Sequence, residues 1–233
     1  MKIKSLISTI TLVAASTSTM AQDLEITLTN LSQGLYFTPI LTAAHTNESS
    51  IFSLATAASS ELQAMAEGGD ISGLVSMLTN ANANTNENPA SGLLAPAMST
   101  SYMLTNDSTN THLSLTTMIL PSNDGFVGLD SWMIPTEVGT YTIMLNAYDA
   151  GTEANDELII DGGGAPGTAG IPAAPGGDAG SNGSGVTDSE TNMMVHIHRG
   201  SLGDDDLVAG KSDLDNRVHR WLNPVAKLTV VVK

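Results

Sequence analysis

The chain contains no cysteine. Disulfides, thiolate metal sites and a cysteine nucleophile are therefore excluded. Stability must come from the hydrophobic core and, in an exported chain, from any metal it holds. Basic residues are also scarce. Eight Lys and Arg stand against 24 Asp and Glu, and none lies between Gln22 and His198. Such a surface repels phosphate backbones, so nucleic-acid binding is not expected. Anionic lipid is disfavoured for the same reason unless a cation bridges the two. With two Trp in the chain, the aromatic platforms usual in sugar-cleaving clefts are missing. No apolar run is long enough to span a bilayer, so direct membrane insertion is not expected. There is no G-x-S-x-G, no H-E-x-x-H, no phosphate loop and no dinucleotide fingerprint.

The first residues read as an export signal. Met1-Lys2-Ile3-Lys4 is a basic start, Ser5 to Ala15 is mostly apolar, and small residues lead to Thr19-Met20-Ala21. Residues 1–21 are expected to be removed, leaving 22–233 as one exported domain, periplasmic or extracellular at the cell surface. Lys2 and Lys4 go with the signal, so six basic residues remain against 24 acidic ones, a balance of −18. Solubility in a salty environment explains most of that charge; cation loading is the sharper reading.

Short β-rich runs between turn residues predict an all-β fold. Leu24 to Leu31 alternates apolar and polar, as a half-buried strand does. Further strands are expected at Tyr102–Thr105, Thr111–Leu120, Phe126–Leu129, Tyr141–Leu145, Met193–Gly200 and over the last eight residues. Ser59 caps a short helix ended by Gly68-Gly69, and Asp70 caps a second. Residues 80–89 (NANANTNENP) read as a polar surface loop. Residues 161–192 are Gly-rich, hold no aromatic residue and read as a long flexible loop.

Two acidic loops flank this strand-like sequence: Pro121-Ser122-Asn123-Asp124-Gly125, and Tyr148 to Glu157 (YDAGTEANDE). At one end of a β structure such loops can converge on a hard cation. Calcium takes six to eight oxygens from carboxylates, carbonyls, amides and water. The segments PSNDGFVGLDS and AYDAGTE resemble the spondin domain, the N-terminal domain type of F-spondin and mindin. FTPILTAAHT, SSELQAMAEGGDISGL and the Asn223-Pro224 turn before the last run extend the resemblance over nearly all of 22–233 except the Gly-rich segment. Gly125 stands where the family has an aromatic residue, and Glu153 where it has Asp. The family's cysteines are missing, which implies a bacterial exported relative.

The resemblance implies an antiparallel β-sandwich like the calcium-dependent lipid-binding sandwiches, with a small helical insertion. It also implies one divalent cation, calcium, held by Asp124, Asp149 and Glu153. A further family carboxylate, on the strand before the first loop, has no aligned Glu here; Asp107 is the candidate, while Asp130 reads as a turn cap. The implied function is an adhesion or ligand-binding module of the cell surface or extracellular matrix, with a glycan or protein ligand. Two alternatives remain open. One is a structural envelope protein in which the metal only stabilises the fold. The other is a histidine-based metalloprotein or hydrolase. His196 and His198 share one face of a strand and with His45 or His112 make a candidate zinc or copper site; half-exposed strand histidines are the plainer reading. Asp124 with Asp149 as a glycosidase pair, or His45 with Asp149 and a serine as a triad, are the catalytic options.

Overall fold

The computed structural model describes residues 22–233; the expected export signal lies outside them. Among the described residues there are ten strands and two short helices, and the fold is an all-β sandwich. The first strand, β1 (Gln22–Asn30), turns Leu24, Ile26 and Leu28 inward, all fully buried. It pairs antiparallel with β5 (Ser99–Asn106) on one side and with β10 (Ala226–Val232) on the other. Leu228, Val230 and Val232 of β10 complete the same inner face. The next neighbour is β8 (Gly139–Asp149), which gives this sheet the order β8-β10-β1-β5.

The second sheet runs β4 (Asn84–Glu87), β3 (Leu41–His45), β6 (His112–Leu120), β7 (Gly125–Met133) and again β8. The long β8 belongs to both sheets. Its Gly139–Leu145 part pairs with β10, and its Asn146–Asp149 part pairs with β7. At the far edges Asn86 Nδ2 donates to the Met103 carbonyl at 3.2 Å, and the Thr42 and Tyr102 hydroxyls meet at 2.6 Å. The two sheets thus nearly close on each other. Two short strands lie off this path: β2 (Tyr36–Phe37) on β6, and β9 (His196–Ile197) on β8.

β3 and β6 lack the alternation of β1 because both of their faces are covered. Their inner face meets the sandwich core, with Phe37, Leu113, Leu115 and Ile119. Their outer face carries α1 (Ser60–Gly68) and α2 (Ser72–Asn80), with Leu41, Met118, Leu62, Met65, Leu74 and Leu78 between the layers. The Ser59 hydroxyl accepts from Leu62 N–H at 3.1 Å, and Gly69 ends α1 in the left-handed region. Asp70 sits one residue further out than a regular cap and accepts from Ser72 N–H at 2.9 Å; the capping position is held by Ile71.

Two expectations are corrected. The polar run 80–89 is not wholly a loop, because it contains β4. That strand lies at a sheet edge and is nowhere fully buried, so its pairing with β3 needs no apolar pattern. The run Met193–Gly200 forms only the two-residue β9. Segment 161–192 forms neither helix nor strand. Its backbone is tied down by Gly180 N–H to Asp213 O (2.7 Å), Gly185 N–H to Lys211 O (2.9 Å) and Val186 N–H to Asp156 O (3.0 Å), and Ile171 is fully buried.

Candidate cation site at the acidic loops

β6 ends at Leu120, and the chain turns through Pro121 to Asp124 before β7 begins at Gly125. Ser122 fixes this turn. Its hydroxyl donates to Ile119 O at 2.6 Å and accepts from Gly125 N–H at 3.1 Å. Gly125 pairs with Asp149 at the end of β8, so Asp124 and Asp149 are neighbours across two strands. The resemblance carried an aromatic residue at 125. Here a Cβ at Gly125 would lie 2.7 Å from the Ser122 hydroxyl and 3.2 Å from the His198 ring, which fills that space instead.

Both carboxylates are buried, Asp124 fully and Asp149 nearly so. Asp124 Oδ2 accepts from Thr152 N–H (2.8 Å), Glu153 N–H (3.1 Å) and the Thr152 hydroxyl (3.2 Å). Asp124 Oδ1 has no hydrogen-bond partner among the described residues. Burial first, and then the nearby Asp149 charge, push the Asp124 carboxyl up to about 7. Asp149 Oδ1 accepts from Gly151 N–H at 2.9 Å and Oδ2 from Asn155 Nδ2 at 2.8 Å. Its pKa is also raised by burial, against the pull of Asn155, Gly151 and His196.

Glu153 is turned elsewhere. Its Oε2 accepts from Gly170 N–H at 3.0 Å and Asn123 Nδ2 at 3.3 Å. Burial raises this carboxyl to about 7, with Glu67 and Asp156 adding to the rise. Its backbone N–H serves Asp124, but its side chain belongs to a separate set of partners. Asp107 is exposed beyond the end of β5 and accepts from Thr109 N–H (3.0 Å) and the Thr109 hydroxyl (2.6 Å). Asp130 lies within β7 rather than at a turn.

The four candidate histidines divide between the two ends of the sandwich. His196 Nε2 lies 3.7 Å and His198 Nε2 4.0 Å from Asp149 Oδ2. His45 and His112 pair with each other at the opposite end of β6, about 27 Å away at ~3.3 Å per strand residue. A site combining His196 and His198 with either is therefore ruled out. So is a triad of His45 with Asp149. His45 is instead fully buried, with Nδ1 donating to Thr46 O (2.7 Å) and Nε2 accepting from the Ser114 hydroxyl (2.7 Å). Ser114 is fully buried in turn and accepts from Ser131 N–H at 2.9 Å. The pair steadies the irregular β6–β7 pairing at Leu113 to Leu115.

A model of the family described as Spondin_N matches residues 29–157, more than half of the 233-residue chain. The chain belongs to the Spondin_N family. Spondin domains are extracellular ligand-binding modules, generally without enzymatic activity. No curated protein matches this one. The matched part of the spondin chain includes both acidic loops and both helices, while β9, β10, His196 and His198 follow it. Among the described residues no helix is long and apolar enough to cross a membrane.

The side chains fit the cation that the resemblance implies only in part. Asp124 Oδ1 is a buried oxygen with free lone pairs, and buried polar atoms in folded proteins are nearly always paired. Asp149 supplies a second carboxylate beside it. Among the described residues, however, no three His, Asp or Glu side chains form a ready-made metal group. The remaining oxygens would have to come from loop carbonyls and water. Asn123, which donates to Glu153 and Asp156, and Asn155, which donates to Asp149, hold the site together. Neither role is legible in the sequence, because an Asn in an acidic loop does not show which carboxylate its amide will meet.

Proposed function

We propose that this protein is an exported, non-enzymatic ligand-binding module whose loop end is organised by one calcium ion on Asp124 and Asp149. The observation that carries this reading is the unpartnered, buried Asp124 Oδ1 beside a second buried carboxylate. Calcium, when bound, supplies the positive charge that lets both groups ionise. Asp124 then keeps its three donors from Thr152 and Glu153, and Asp149 keeps Gly151 and Asn155, so loops 121–125 and 150–157 hold one shape. Without the ion the two carboxylates disfavour each other's charge. Glu153 acts here as a positioning residue through its backbone N–H. The ligand for these loops is a surface glycan or protein, which gives an adhesion role at the cell surface or in a matrix.

Thermal unfolding with calcium and with chelator tests the ion. A site filled to about 100 times its dissociation constant adds about 2.7 kcal/mol. A rise in Tm that disappears in Asp124→Asn is the expected result. No shift in the unaltered protein would sink the calcium reading. Glycan-array and surface-binding assays with and without chelator separate adhesion from a purely stabilising ion in an envelope protein.

A further inference from the structure

We infer that the free edge of β8, along Gly139–Leu145, is a self-association surface, on which a second copy of this chain lays its own β8 antiparallel about a two-fold axis at Thr142. The inference starts from where β8 aims its backbone. Asn30 N–H donates to Met98 O, and Lys233 N–H to Asp23 O, both in register with the strands. Even residues of β1 therefore bond β5, and odd ones bond β10. Carried one strand further, odd residues of β8 bond β10 and even ones face away from it. At Asn146 and Tyr148 those even residues meet β7. Nearer Gly139, β7 has turned away. It has one residue more than β6 between the pairs Leu115–Leu129 and Leu113–Trp132, and Ser131 takes a left-handed φ of 49°. A bulge of this kind bends its strand out of the ladder. The N–H and C=O of Thr140, Thr142 and Met144 are thus left without a partner among the described residues.

Charges and bulges keep sheet edges from pairing with other chains. β7 has its bulge and the exposed Asp130, and β4 and β5 lie against each other through Asn86. The edge of β8 has no such guard. Residues 138–148 carry no charge, in a chain with 24 acidic residues, and Thr, Tyr and Ile are strong strand formers. Large apolar side chains are exposed along the same border, Met133 at 69%, Val138 at 78% and Met144 at 50%. Trp132 and Tyr141, both only partly buried, face each other across the gap with ring centroids 6.0 Å apart. The occupant that fits is a second copy. A two-fold axis at Thr142 sets Thr142 opposite Thr142 and Thr140 opposite Met144, so every free N–H and C=O of the three residues meets its complement. The same axis sets Glu137 level with Ala147, so no acid faces an acid. Two strongly acidic molecules meet at least cost where neither presents a carboxylate. Thr142 lies about 23 Å along β8 from Asp149, at ~3.3 Å per residue, so this pairing is independent of the acidic loops and of calcium.

The test is sedimentation equilibrium of the protein in chelator, beside Thr142→Pro, Thr142→Lys and Thr27→Lys, with amide hydrogen exchange at low and high protein concentration. A monomer–dimer equilibrium is expected, tightening as salt screens the net negative charge of the two copies. Thr142→Pro removes the N–H at the axis, which the monomer does not use, and Thr142→Lys sets like charges directly opposite each other. Each should weaken the dimer by at least about tenfold. Thr27→Lys, on the same sheet two strands in from the edge, should leave it unchanged. The two lysine variants should melt like the unaltered protein when dilute, which separates loss of pairing from loss of fold. Exchange at Thr140, Thr142 and Met144 should slow only at concentrations where the dimer forms. A chain that stays monomeric at millimolar concentration, or a dimer equally tight in Thr142→Lys, overturns the inference. So does a dimer in which those three amides stay fast. Slow amides there in the dilute monomer overturn it too, because another part of the same chain then covers the edge.

Discussion

Asn155 Nδ2 donates to Asp149 Oδ2 at 2.8 Å, and both side chains are buried. A neutral amide thus holds the carboxylate that closes the acidic loops. Asn155→Ala removes a hydrogen bond to a charged group, worth about 1.5–3 kcal/mol. Chemical denaturation should show a loss of that size in chelator. A change below a few tenths of a kcal/mol would mean that water replaces the amide.

Glu153 separates two accounts of the ion. Its carboxylate is bound by Gly170 and Asn123 and faces Glu67, so Glu153→Gln keeps the shape and removes a buried charge. The Tm in chelator should stay level or rise at about pH 8, where the native carboxyl is ionised. The calcium-induced shift should survive. If calcium no longer shifts the Tm of Glu153→Gln, Glu153 is a direct ligand.

The carboxyls of Asp124 and Glu153 each stand at about 7 in the fold, against ordinary values of 3.8 and 4.5. Between the ordinary and the raised value the folded chain holds protons that the unfolded chain has released. Their stabilisation is therefore complete at low pH and is lost as pH rises through about 7. His198 works in the opposite direction: burial holds it down to about 3, so below about 6.5 only the unfolded chain takes up its proton. The carboxyl effect is cleanest between about pH 6.5 and about pH 8. In chelator, Tm should rise as pH falls across that window, with a shallower rise in Asp124→Asn. A flat profile in the unaltered protein would contradict the raised values.

Met65 lies fully buried in the cluster between the helices and the outer face of the second sheet, where the Thr116 hydroxyl meets its sulfur at 3.6 Å. Met65→Ala should cost about 2–5 kcal/mol through lost burial and the cavity left behind. A cost below about 1 kcal/mol would show that α1 is only loosely attached.

The strands that alternate were legible from the sequence, because burial on one face writes a period of two: β1 and β10 are clear cases. The caps of α1 were legible because Ser59 and Gly69 have direct backbone roles. β4 was not, since NTNE at an edge buries almost nothing. The loop end was legible as an acidic pair, Asp124 and Asp149, through loop chemistry and resemblance. What stayed hidden was direction. Nothing in YDAGTEANDE tells that Glu153 turns toward Gly170, because Gly170 lies in a Gly-rich segment of no periodicity. Nor does an H-x-H pair reveal which ring nitrogen carries the proton; backbone groups at Met194 and Gly200 decide that.

The place of β8 has a consequence for timing. Asp149 ends the strand that both sheets share, and the neighbour of β8 in the first sheet is β10, which also flanks β1. A nascent chain lacking Ala226–Val232 leaves β1 and β8 with bare facing edges. The sandwich therefore closes late, only when its earliest and its last strands zip together. Such long-range closure is slow compared with local pairing. A chain built this way stays open along that seam until Ala226–Val232 has been made, and the end of β8 that carries Asp149 is braced on both sides only after that.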